Sequence, residues 1–264
     1  MKKLIYILPI ILWSCSNGNQ EKEILQNPET KSDEKIAENK SEPGKKDICW
    51  TGTINDKTPV FVHYQIVDDL IFGEIVYLNT KSKIPIRIIG TIEEDKSYRI
   101  LEFEKNGNIS GIITGSPGTK EFNGEWFSPK TRKELNLKLI QSDSVISTIP
   151  LEADIAEIYG DYHYQYSEAG SQGDFSITKA KNEQSSFSIF SVTGEPARNI
   201  ASVESDAIKL QKTEFIYTLP ETENCEIKVK FYKGFVHVNY TKGYCEGEFG
   251  HNATIDGIFL KTRK

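Results

Sequence analysis

The chain has 264 residues, 27% of them charged, a formal net charge of −6 and a pI near 5.4. That length holds one or two domains. The acidic balance, with charges spread rather than gathered into a basic stripe, excludes nucleic acid as a partner.

At the N-terminus Lys2 and Lys3 precede an apolar run, Leu4 to Trp13, which ends at Ser14 and Cys15. That order is a secretory signal, and the run is too short to span a bilayer, which takes about 20 residues. The cut before a cysteine resembles the lipobox of bacterial lipoproteins, although Trp13 stands where that motif has a smaller residue. The resemblance implies that residues 1–14 are removed and that Cys15 becomes the lipidated first residue, with the membrane as a partner. Ser16, rather than Asp, follows the cysteine. By the enterobacterial sorting rule that implies the outer membrane of a Gram-negative envelope. The alternative is an ordinary cleaved signal with Cys15 incidental.

Residues 15–47 read as a disordered tether; from Glu21 to Asp47 it is about half charged, with Ile24, Leu25 and Ile36 as the only larger aliphatics. Such a segment buries too little apolar surface to offset its ordering entropy.

From Ile48 the pattern becomes short alternating runs cut by turn residues. Residues 48–141 divide into eight predicted strands: Ile48–Asn55, Pro59–Ile66, Leu70–Asn79, Ile84–Ile92, Ser97–Glu104, Asn108–Gly115, Glu121–Ser128 and Leu135–Gln141. Asn106-Gly107 is a strong two-residue hairpin signal. Short connections favour an up-and-down meander, and eight strands suffice to close a small barrel. Residues 142–157 read as a linker. In residues 158–264 the predicted strands are Gly160–Tyr166, Asp174–Thr178, Ser186–Val192, Ala207–Leu210, Phe215–Leu219, Glu226–Tyr232, Phe235–Tyr240 and Ile255–Lys261. The fold class is therefore all-β: an eight-stranded barrel, then a second β-rich barrel or sandwich.

Cys225 and Cys245 flank the Lys233-Gly234 hairpin. An exported location and the even pairing left once Cys15 and Cys49 are set aside favour a disulfide between them, although a two-residue hairpin sets Lys242, not Cys245, opposite Cys225. Either Gly243 bends the chain back or Cys245 sits on a following segment. Cys49, beside Trp50, reads as a small buried hydrophobe rather than a nucleophile.

No set of residues has catalytic or metal-ligand spacing: His63, His163, His237 and His251 are scattered, and no HExxH, GxSxG or phosphate-binding glycine loop occurs. No enzyme activity, metal or cofactor is expected. Two features could contact a ligand. Tyr162, Tyr164 and Tyr166 alternate onto one face of a strand, either inward as core or cavity lining, or outward as an aromatic patch. Glu248, Phe249 and His251 stand in a two-glycine loop suited to contacts. In the first module Glu102 shares a face with Tyr98 and Ile100. It either faces water or, inside a closed barrel, needs a partner such as Arg87 or Arg99.

Three short motifs resemble calycin-type barrels, the lipocalin and avidin group. They are Trp50 at the start of the first module, Gly124-Glu125-Trp126 on a late strand, and Tyr159-Gly160-Asp161-Tyr162 at the opening of the second module. The resemblance implies a barrel mouth that holds a ligand. Glu102, Trp126, Tyr162, Tyr164 and Tyr166 are then the candidate contacts, and the expected function is non-catalytic binding of a small apolar or glycan ligand. The alternative is a protein-binding or inhibitor lipoprotein that meets an envelope-attacking hydrolase through the Glu248–His251 loop. An envelope hydrolase is the third reading.

Overall fold

Period-two alternation decides which side of each strand turns inward, and it runs through nearly every segment of the computed structural model. The structure describes residues 46–180, 184–220, 222, 224–245 and 247–263. The signal segment, Cys15 and the tether up to residue 45 lie outside the described residues.

The first module comprises β1 (Ile48–Ile54), β2 (Thr58–Val67), β3 (Leu70–Tyr77), β4 (Ile86–Ile92), β5 (Tyr98–Phe103), β6 (Ile109–Pro117), β7 (Glu121–Ser128) and β8 (Lys133–Gln141). Each pairs antiparallel with the next, and β1 also pairs with β8, from Trp50 opposite Gln141 to Ile54 opposite Leu137, which closes the barrel. Closure leaves no edge strand exposed. The β5–β6 connection differs from the expected two-residue turn. Gly107 N–H donates to Glu104 O (3.0 Å), and only Gly107 takes a positive φ, 90°. This is a turn followed by a glycine bulge, and the register shifts beside it between Glu102 and Phe103.

The second module comprises β9 (Gly160–Gln165), β10 (Gln172–Lys179), β11 (Ser185–Val192), β12 (Ile200–Ile208), β13 (Glu214–Thr218), β14 (Glu226–Tyr232), β15 (Phe235–Lys242) and β16 (Gly257–Arg263). It is one meander that curls until β16 pairs with β9, leaving β12 and β13 as the two edges of a nearly closed barrel. Tyr217 spans that opening by donating its hydroxyl to Asp206 (2.7 Å). Ala207–Leu210 underestimated β12, which begins at Ile200. Only Ala201, Val203 and Ile208 of that strand are buried apolar residues, so its apolar signal is thin.

Cys225 and Cys245 form a disulfide. The hairpin register slips by one residue between Glu226 and Ile227, and Gly243, at φ 63°, turns the chain back. A side chain there would meet Asn224 O at 2.0 Å. Closing a loop of this size stabilises by about 3 kcal/mol in the chain-entropy model.

The barrels pack wall to wall. Phe72 of β3 stacks on Phe235 of β15 (5.5 Å), Tyr232 stacks on the same ring (4.8 Å), and Arg87 lies over Phe72 (5.7 Å). Leu70, Ile89, Leu101 and Phe103 join Ile258 and Leu260 in the hydrophobic core that also fills the second barrel. Gln165 N–H donates to Gly107 O (3.2 Å), tying β9 to the β5–β6 turn. The described residues accordingly belong to one unit. Its first described residues are fastened too: Lys46 bridges Ser147, and Asp47 N–H donates to Ile146 O (3.0 Å).

Candidate functional site

Side chains fill the first barrel. Trp50, Tyr64, Tyr98 and Phe122 meet edge-on or tilted at 6.1–6.2 Å, with Trp50 Nε1 donating to the Tyr64 hydroxyl (3.1 Å). Glu102 also points inside, 1% exposed. Its expected partners are corrected: alternation that turns Glu102 inward turns Arg87 and Arg99 outward. The carboxylate instead accepts from Trp126 Nε1 (2.7 Å), from the Tyr77 hydroxyl (2.9 and 3.0 Å) and from Ser110 Oγ (3.3 Å). Gly111 makes the room, since a side chain there would meet Trp126 Nε1 at 2.4 Å and Glu102 Oε2 at 2.7 Å. Burial raises the Glu102 pKa, and the three donors only partly oppose it. The same burial, reinforced by the Glu102 charge, raises that of Tyr77. Glu102 and Trp126 thus form a closed polar knot, one that solvent does not reach at the carboxylate.

The three tyrosines divide. Tyr162 is buried against Phe175 and Phe231 (5.8 and 5.9 Å) and donates to Ile158 O. Tyr164 is buried against Phe259 (4.9 Å), and burial raises its pKa. Tyr166, just beyond β9, is half-buried, and Arg99 of β5 reaches it from the other barrel. Arg99 Nη2 donates to its hydroxyl (3.1 Å), and the guanidinium lies over its ring (5.9 Å).

Those last two tyrosines border a cleft of about 630 Å³ between the barrels. Thr91, Glu93, Arg99 and Leu101 supply one wall; Ser171, His237, Thr254, Asp256 and Ile258 join the tyrosines on the other. Pockets of about 300–1,000 Å³ suit small-molecule ligands. The polar groups are held in place. Thr91 Oγ1 donates to Glu93 (2.9 Å), Thr254 donates its hydroxyl to Asp256, and Tyr240 pairs with Thr254 (2.9 Å). Ser171 is fixed in the β9–β10 turn, its carbonyl accepting from Tyr166 N–H (3.0 Å). Burial lowers the pKa of His237, with Asp256 opposing and Lys230 adding to the shift, which favours a neutral ring.

Arg99, His237 and Asp256 escaped the sequence reading as site residues. Each looks ordinary on its own strand or loop, and only wall-to-wall packing gathers them. In the Gly247–Asn252 loop, Glu248 and His251 are exposed, while Phe249 packs against the core. Gly250 N–H donates to Ile200 O (3.0 Å) and His251 O accepts from Asn199 (2.7 Å), so the loop rests on the start of β12. None of the three candidate contact residues there lines the cleft. His63 sits between Asp47 (2.7 Å) and Glu74 (3.5 Å), beside the buried free Cys49. His163 pairs with Asp174 (2.7 Å). Among the described residues no three His, Cys, Asp or Glu gather as a metal site.

Comparisons of the chain with protein-family models, with curated proteins and with solved structures return no match.

Proposed function

We propose that this chain is a lipid-anchored lipoprotein of the Gram-negative outer membrane that binds a small polar ligand in its inter-barrel cleft, without chemistry. The cleft itself carries the reading. Two walls that share a hydrophobic core converge a cation, acids, hydroxyls and two tyrosine rings on one space of about 630 Å³. A few placed polar groups beside aromatic surface are what ligand sites generally offer. The exported location draws support from the signal pattern ending at Cys15 and from the Cys225–Cys245 bridge, since disulfides persist in oxidising compartments.

Native mass spectrometry of the full chain, incubated with an envelope extract, tests it. A discrete small-mass adduct is expected, and it should weaken in Tyr166→Ala and disappear in Thr91→Trp, which fills the cleft from the first barrel's wall. An adduct retained by both variants would place the ligand elsewhere.

A further inference from the structure

We infer that the cleft selects sugars bearing a single carboxylate, with Arg99 receiving that group. This rests on the reading of the cleft as the ligand site. Arg99 is half-buried, and among the described residues no carboxylate pairs with it. Its hydrogen bond runs from Nη2 to the Tyr166 hydroxyl, a neutral group. A partly desolvated cation without an anion is costly, and a guanidinium matches a planar carboxylate through paired N–H bonds. Tyr166 holds the guanidinium over its ring, so little side-chain freedom remains to be lost when an anion arrives.

The charge balance sets the size of the anion. Glu93 and Asp256 line the same cleft, so a phosphate, carrying about −1.5 to −2 at neutral pH, meets two acids and one guanidinium. A single carboxylate meets the same two acids with the smaller charge, which the paired N–H bonds of Arg99 can offset. The remaining groups fit a hydroxylated ring: Asp256 can accept a further hydrogen bond, and Ser171, whose Oγ accepts from Gly194 N–H (3.2 Å), can donate its hydroxyl proton. A purely apolar ligand would cover Arg99 without supplying an anion for it.

The test is a binding panel on the full chain: galacturonate, glucuronate and mannuronate monosaccharides, their neutral counterparts, and hexose 6-phosphates. At least one uronate should bind, with its neutral counterpart weaker by about tenfold or more, the scale of a charge-assisted pair. Arg99→Gln should lose about ten- to a hundredfold, and Arg99→Lys less, because the charge survives without the planar fork. Unchanged melting curves would show that both variants fold. Equal affinity for neutral sugars, preference for phosphates, no binding by any uronate, or an unaffected Arg99→Gln overturns the inference. The Thr91→Trp variant separates the two failures. An extract adduct that it abolishes, with no uronate bound, removes the carboxylated sugar and leaves the cleft. An adduct that it spares removes both.

Discussion

Replacing Phe175 with alanine is expected to cost about 3–5 kcal/mol, the range for truncating a fully buried ring. Phe175 lies 5.6–6.1 Å from the rings of Tyr162, Phe187, Phe231 and Phe259, at the centre of the second barrel. Removing it opens a cavity shared by four neighbours that sit on separate strands, so collapse into the space is hindered. A fall in melting temperature of roughly 10 °C follows for a body of this size. One core runs from the second barrel into the wall of the first, so both modules should melt in a single transition. Phe190, on β11 and 42% exposed, supplies the control: its replacement should change stability by no more than about 0.5 kcal/mol. A variant at Phe175 as stable as the parent would contradict the packing.

Glu102→Gln should have the opposite sign. Burial holds the Glu102 carboxyl above the ordinary glutamate range, so the folded state keeps a proton that the unfolded chain has released. Stability from this group is complete below the unfolded pKa of about 4.3 and is lost as pH rises through the folded value. Glutamine removes that loss. Its carbonyl can accept from Trp126 Nε1, and its amide can donate to the hydroxyls of Tyr77 and Ser110, which turn to accept. Melting curves at pH 5 and pH 8 should show a gain for the variant that grows with pH, reaching about 1–3 kcal/mol where a buried charge is relieved. A gain that shrinks as pH rises would mean that the three donors hold the carboxylate ionised.

Much of the fold was legible because local chemistry dictates it. Strand bounds in the first module follow from alternation and from turns such as Lys105-Asn106-Gly107, and Glu121–Ser128 matches the observed strand at both ends. Inward and outward were less legible. Alternation names the two faces of β5 but not which one the barrel encloses, and a one-residue change exchanges them. Glu102 shows the consequence, since an acid normally favours the wet face and only the space at Gly111 and the donors of Tyr77, Trp126 and Ser110 admit it. β12 was largely missed because Ser202, Glu204, Ser205 and Asp206 read as loop, although an edge strand tolerates such exposure. The disulfide was foreseen, but the register slip that permits it was not.

The candidate site was legible in only one part. Tyr164 and Tyr166 were visible as a motif; their neighbours were not. Arg99 and Tyr166 are 67 residues apart and meet because the outer walls of two barrels share an apolar seam. Outward apolar residues such as Phe72, Leu101 and Phe103 were the signal for that seam. A closed barrel whose outer wall carries them needs a partner surface, and the second module supplies it.

Hydrogen exchange of the full chain, with and without the ligand fraction from the envelope extract, tests the central claim most directly. Binding in the cleft predicts slowed exchange in Tyr98–Phe103, in 164–171 and in 254–258, with the β7–β8 wall of the first barrel unchanged. Slowing confined to β7 and β8, or to the Gly247–Asn252 loop, would contradict it.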